Sequence, residues 1–280
     1  SVSAAGYTGD LTLDVSAAAA TSTTVTGGSG DDSINIGAIT STDTVTGGDG
    51  TDTIITAAAV TVANAAGVSG VETLSIVNAS AAGTITQDMD AFSVNTVSIG
   101  DVNDQSVALN DATADDTYAI TASITNGTGT VITLKTDTDS DSSSLALGAA
   151  AAGVTLDQVT AQNFETLTIS SSGGADTITD LTASDLTSLT VNATTAFTIT
   201  NAITGGSALT TVDASAMTKA VSINGSSSNL AQTFTSGSAG DTYTSGTGND
   251  TLTGGAGNDV LSASDGTNTI TGGAGDNKLN

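Results

Sequence analysis

Residues 236–280 read SGSAGDTYT, SGTGNDTLT, GGAGNDVLS, ASDGTNTIT and GGAGDNKLN, five nonapeptides in one unbroken register. Their sixth position is Asp241, Asp250, Asp259, Asn268 and Asn277; their eighth is Tyr243, Leu252, Leu261, Ile270 and Leu279. Glycine permits a tight turn at positive φ and brings backbone carbonyls close together. The aspartate closes that turn, and the apolar residue two places on belongs to a short strand that points it inward. Two such units make one coil of a parallel helix of strands, so units n and n+2 stack about 4.8 Å apart. Carboxylates stacked this way repel unless a cation lies between them. Ca²⁺ takes about six to eight oxygens at roughly 2.3–2.6 Å, from the carboxylates and carbonyls that such a turn supplies.

The same phrase occurs near the other end. GGSGDDSIN from Gly27 is followed by two extra residues, then AITSTDTVT and GGDGTDTII. These place Asp32, Asp43 and Asp52 at position six and Ile34, Val45 and Ile54 at position eight. The two extra residues are expected to disturb the stacking there.

Between these blocks the period lengthens. GVETLSI (70–76), FSVNTVSI (92–99), NFETLTI (163–169), DLTSLTV (185–191) and ALTTVDA (208–214) advance by 22 or 23 residues wherever they are adjacent. The wide gap before NFETLTI leaves room for three such steps, and DDTYAIT from Asp115 falls near one of them. A second apolar stretch lies about halfway through most periods, as in DTIT at 176 and AFTIT at 196. Two short strands per period, joined by small polar residues, describe one coil of a β-solenoid. Phe92, Phe164, Phe197, Leu167 and Leu189 are the residues large enough to fill its width.

The fold class expected is therefore all-β, a right-handed parallel β-helix or β-solenoid, its handedness following from strand twist. Residues 1–60 would hold N-terminal strands with repeats, 61–235 the longer coils and 236–280 the C-terminal roll, together one continuous solenoid. Two antiparallel β-sandwiches are the alternative, weakened by the lack of hairpin signals.

Composition narrows the function. The 280 residues carry 29 Asp and Glu against three Lys, with formal net charge −26. Nucleic acid and anionic bilayers share that sign and are excluded as partners by charge. There is no Cys for a disulfide or a zinc thiolate and no His for a hydrolase triad. No Arg faces an acidic sugar, so catalysis is not expected. No apolar run approaches the ~20 residues of a membrane span, so no membrane insertion is expected. The start, SVSAAGYTGD, has neither a basic beginning nor an apolar run, so no secretory signal peptide is expected there. It begins at Ser1 rather than methionine, so a processed chain or a fragment is expected.

Other acidic groups stand outside the nonapeptides. Asp137, Asp139 and Asp141 alternate as in a calcium loop but lack its glycine and its twelfth-position acid, which favours a solvated loop over an incidental ion site. Asp101 with Asp104, and Asp111 with Asp115 and Asp116, fall between expected strands and are open as further sites. Glu72 and Glu165 hold the same place in the long repeat, an outward position that could pair with a neighbouring coil.

The nonapeptides resemble the repeats-in-toxin (RTX) consensus G-G-x-G-x-D-x-U-x of secreted Gram-negative proteins. The resemblance covers 27–55 and 236–280. It implies stacked ligand pairs Asp241 with Asp259, Asp250 with Asn268 and Asp259 with Asn277, and metal roles for Asp32, Asp43 and Asp52. Carbonyls of Gly237, Gly246, Gly248, Gly255 and Gly257 would complete the shells. Asn268 and Asn277 depart from the consensus, and a neutral amide weakens a site. The VETL-like phrases, acidity and lack of Cys further resemble Gram-negative surface-layer proteins, which are exported by type I secretion and assembled by Ca²⁺. That resemblance implies an extracellular, cell-surface chain whose partners are its own copies and a cell-surface polysaccharide. A calcium-stiffened spacer of an adhesin, or the secretion module of an exoenzyme, are the alternatives.

Overall fold

The computed structural model describes residues 1–17, 22–77, 84–100, 105–125, 129–148 and 153–280. Asp101 and Asp104 lie outside them. Consecutive strands do not pair with each other. Each pairs with the strand two places away, as Thr233–Thr235 does with Thr251–Thr253 while Thr242–Thr244 lies between them in sequence. One sheet of 13 strands runs from Thr12–Asp14 to Thr269–Thr271. The strands between them form a four-stranded sheet from Val2–Ser3 to Val68–Ser69 and a 10-stranded sheet from Ile85–Asp88 to Lys278–Leu279. Every pairing among the described residues is parallel, which rules out the antiparallel sandwiches.

The C-terminal strands are short because each buries only one inward residue, whereas central strands such as Thr166–Ser171 bury several. In Thr251–Thr253 the threonines face outward and Leu252 is buried. β-Branched threonine suits a pleated surface. It stacks on itself along the sheet as Thr211, Thr233, Thr251 and Thr269. The matching inward column is Val212, Phe234, Leu252 and Ile270. The rings of Phe234 and Tyr243, from opposite sheets, stack 4.2 Å apart across the core. Fully burying a side chain such as Leu252 stabilises by roughly 1.5–3 kcal/mol, so the coil is held mainly by one large residue per strand. Phe164, Phe197, Leu167 and Leu189 fill the width as expected, whereas Phe92 is only partly buried.

Coil length varies while the register is kept. Partners are 18 residues apart at Asp241–Asp259, 20 at Asp32–Asp52 and 22 at Glu165–Thr187. The wide gap is crossed in three steps, through Thr117–Ile120 and Ser142–Leu147. One of these coils is longer, with Asp115 and Ser142 separated by 27 residues. The two extra residues near the N-terminal repeats do not break the stack. They lengthen the coil from 18 to 20 residues, with a one-residue register shift between Asn35 and Gly37, where Gly37 takes φ 73°. The expected solvated loop at 137–141 is corrected in part: Asp137 and Asp139 are exposed, but Asp141 is buried at the turn into Ser142–Leu147.

Candidate metal centre

The turn before a strand ends on a residue whose N–H points along the solenoid axis, toward the next coil. A carboxylate one coil on accepts it. Asp259 Oδ1 accepts from the N–H of Asp241 at 2.8 Å, and Asp241 Oδ1 accepts from that of Val221 at 2.8 Å. Asn277 Oδ1 continues the row on Asp259 at 2.9 Å. On the other edge Asp250 binds the N–H of Gln232 at 2.8 Å and Asn268 that of Asp250 at 2.9 Å. The N-terminal repeats do the same: Asp32 on Leu11, Asp52 on Asp32 and Asp43 on Thr23, at 2.7–2.8 Å. A charge-assisted bond of this kind is short and strong. It satisfies an N–H that the strand ladder leaves unpaired. The three stacked pairs expected at 236–280 are thus joined directly, side chain to backbone.

The second carboxylate oxygen distinguishes the positions. Ser245 Oγ donates to Asp250 Oδ2 at 2.6 Å, and Gly28 N–H donates to Asp32 Oδ2 at 2.8 Å. Thr40 donates both its N–H and its hydroxyl to Asp43 Oδ2, each at 2.8 Å. In Asn268 and Asn277 the amide nitrogen donates to turn carbonyls, to Ser264 at 3.0 Å and to Gly273 and Gly275 at 3.3 Å. Oδ2 of Asp52, Asp241 and Asp259 is buried and accepts no hydrogen bond. Burial pushes the carboxyls of all three above the ordinary value, with the neighbouring charges of Asp32 and Glu72 adding to the effect at Asp52. At Asp43 burial also acts upward, but the bonds from Thr40 and Thr23 outweigh it and hold that carboxyl low.

The first position of the repeat accounts for part of the difference. A Cβ on Gly254 would stand 2.4 Å from Asp259 Oδ2 and 2.5 Å from the carbonyl oxygen of Gly272. A Cβ on Gly47 would stand 2.4 Å from Asp52 Oδ2 and 1.8 Å from the Gly70 oxygen. A Cβ at either position would collide with both oxygens, so glycine there lets the carboxylate oxygen and the carbonyl oxygen of the next coil crowd together beside it. A Cβ on Gly27 would likewise stand 2.3 Å from Asp32 Oδ2 and 2.1 Å from the Gly47 oxygen, but there the Gly28 N–H satisfies the carboxylate. Ser236 bonds the carbonyl of Gly254; its hydroxyl and the Gly237 N–H lie close enough to the Asp241 carboxyl to pull against the effect of burial, although Oδ2 has no well-formed hydrogen bond. Among the expected carbonyls, those of Gly237 and Gly255 accept from the N–H groups of Ala256 and Ala274 at 3.0 and 2.9 Å. Gly246, Gly248 and Gly257 lie in the same stacked turns, the oxygens of Gly248 and Gly257 facing Gly266 and Gly275 of the next coil.

Three further positions join these rows. Asp176 binds the N–H of Val154 at 2.5 Å and accepts Ser171 Oγ at 2.6 Å. Glu72 and Glu165 reach back to the N–H groups of Asp52 and Asp141 at 2.9 and 2.7 Å. The signal for Asp176 was present as GGADTI, glycines, an aspartate and an aliphatic residue two places on. The shared repeat position of the two glutamates pointed to pairing with a neighbouring coil, and each bonds a backbone N–H of the preceding one. Elsewhere, Asp111 does not gather with Asp115 and Asp116. Its carboxylate lies within 4.8 Å of those of Asp88 and Asp90, and Lys135 pairs with Asp90. Asp115 accepts from Ser142 Oγ, and burial pushes the carboxyl of Asp116 up to about 6.

The model of the RTX calcium-binding nonapeptide repeat matches residues 21–38, 40–58 and 244–279, in four copies. These segments carry RTX repeats. They include Asp32, Asp43 and Asp52 at one end and Asp250, Asp259, Asn268 and Asn277 at the other. Asp241 precedes the match, and Asp176, Glu72 and Glu165 lie outside it. No curated protein matches the chain as a relative. RTX repeats imply calcium binding, and the donor set fits that ion. It consists of hard oxygens, and three carboxylates hold buried oxygens that accept no hydrogen bond. A buried charge without a partner is costly, and a cation in the adjoining space offsets it.

Proposed function

We propose that this chain is an extracellular structural protein that binds Ca²⁺ and self-assembles into a surface layer or filament. The observation that carries the reading is the set of buried, unpartnered carboxylate oxygens on Asp52, Asp241 and Asp259, each beside a stacked turn. Asp52, Asp241 and Asp259 would hold the ion together with carbonyls of the stacked turns. The bound ion neutralises the carboxylates; the chain's own N–H groups orient them, as Asp241 orients Asp259.

Folding is coupled to the ion because the unfolded chain has no such array. At low cytoplasmic Ca²⁺ the rows at both ends would be destabilised, whereas extracellular calcium modules bind at about 10⁻⁴–10⁻³ M. This suits a chain that travels unfolded and folds outside. Assembly follows from charge. A chain of net charge −26 repels its copies, and each bound Ca²⁺ removes two negative charges and can bridge carboxylates of two chains. A structural role rather than catalysis is supported by the lack of His and Cys and by only three basic residues.

Electron microscopy of the purified chain in millimolar Ca²⁺ and in chelator tests the proposal. Ordered sheets or filaments with Ca²⁺, dispersed by chelator, are expected. A chain that stays monodisperse in both would overturn the assembly reading.

A further inference from the structure

We propose that Asp52, Gly70 and Glu72 form a divalent-cation site completed by a coil that lies outside the RTX repeats. The proposal rests on the calcium-binding reading of the repeats.

Asp52 is the sixth residue of the last N-terminal nonapeptide. The next coil on that edge carries SGVETL, residues 69–74, which has neither the paired glycines nor the aspartate of the repeat. The structure nevertheless places Gly70 and Glu72 where a following nonapeptide would put its first glycine and its aspartate. Glu72 Oε2 accepts the N–H of Asp52 at 2.9 Å, just as Asp52 Oδ1 accepts that of Asp32 at 2.8 Å. The Gly70 carbonyl packs against Gly47 as the Gly272 carbonyl packs against Gly254.

The independent observation is at Asp52 itself. Its side chain is fully buried, and Oδ2 has no partner; it and the Gly70 oxygen both crowd the position that a Gly47 Cβ would take, at 2.4 and 1.8 Å. A cleft lined by Gly70, Glu72, Asp90 and Phe92 opens beside Glu72. Two carboxylates and a carbonyl suit a hard divalent ion.

The other aspartate–glutamate step serves as an internal contrast. Glu165 binds the N–H of Asp141 in the same way, but Thr138 donates its N–H to one oxygen of Asp141 and its hydroxyl to the other. That step holds no free oxygen and is assigned no ion.

Equilibrium dialysis of the full chain against radioactive Ca²⁺ tests the site, using Asp52→Asn, Glu72→Gln and, as a separate probe of the C-terminal repeats, Asp259→Asn. Asparagine at position 52 keeps the acceptor for Asp32, as Asn277 does for Asp259. Asp52→Asn is expected to lose one ion, and Glu72→Gln to weaken one site by roughly 10-fold or more, as loss of a supporting charge does. Unchanged binding in both variants, with wild-type chain binding Ca²⁺ and Asp259→Asn losing an ion, overturns this site alone. An effect of Asp52→Asn without one of Glu72→Gln overturns the role of the outside coil. If Asp52→Asn does not fold, Glu72→Gln still decides the matter, because its amide oxygen can accept from Asp52. A wild-type chain that binds no Ca²⁺ would sink the reading of the repeats on which the site depends.

Discussion

Asp259 accepts the backbone N–H of Asp241 at 2.8 Å across one coil, and its other oxygen lies buried without a partner. One carboxylate thus has two separable tasks. Oδ1 joins adjacent coils whether or not metal is bound, and Oδ2 creates the demand for metal.

Removing both tasks should cost more than removing one. Asp259→Ala leaves the buried N–H of Asp241 unsatisfied, at about 1–3 kcal/mol, and deletes a ligand. The Ca²⁺ midpoint for folding, followed by circular dichroism, should rise. Asp259→Asn keeps the N–H bond, so its metal-free form should be at least as stable as wild type. A calcium titration of Asp259→Ala that superimposes on wild type would refute the assignment.

At position 245, serine in place of the first glycine does for Asp250 what an ion would do. Ser245→Gly removes the hydroxyl that satisfies Asp250 Oδ2. In urea denaturation the metal-free chain should lose about 1–3 kcal/mol, and saturating Ca²⁺ should restore most of it. Equal losses with and without Ca²⁺ would show that the hydroxyl and the ion do not substitute for each other.

At Asp176 both oxygens are already bonded, one by Val154 N–H and one by Ser171 Oγ. Asp176→Ala should therefore destabilise the central coils by about 1–3 kcal/mol per orphaned buried group, to the same extent in chelator and in Ca²⁺. A loss that Ca²⁺ largely reverses would place an ion there.

Protons should partly replace metal. Burial raises the carboxyls of Asp52, Asp241 and Asp259 on folding. A group raised on folding adds stability below its unfolded value and loses it as pH climbs through its folded value. Asp116 sets a window from 3.8 to about 6. Asp43, held low, acts in the opposite sense. With more groups raised than lowered, the metal-free chain should melt at a higher temperature near about pH 5 than near about pH 7.5. Saturating Ca²⁺ should shrink that difference, since the ion competes with the proton. Melting temperatures of metal-free chain that rise with pH over this range would contradict it.

The sequence by itself determined the stacked parallel coils. A glycine turn, an aspartate and one inward aliphatic residue recur at a spacing that only strands pairing with their second neighbours can satisfy. Even the wide gap before NFETLTI, three coils in length, was legible, because side-chain alternation and turn chemistry are properties of a few consecutive residues. The joining of Asp241 to Asp259 followed from the same period. What only the tertiary structure decided is which carboxylates remain unsatisfied. Asp52 and Asp141 both hand their N–H to a glutamate of the next coil, yet Asp141 is capped by Thr138 and Asp52 by nothing. Asp88, Asp90, Asp111 and Lys135 likewise converge from separate coils. A charge is neutralised by whichever groups surround it in space, and here many of those groups belong to a neighbouring coil, about 20 residues away, whose identity no local period prescribes.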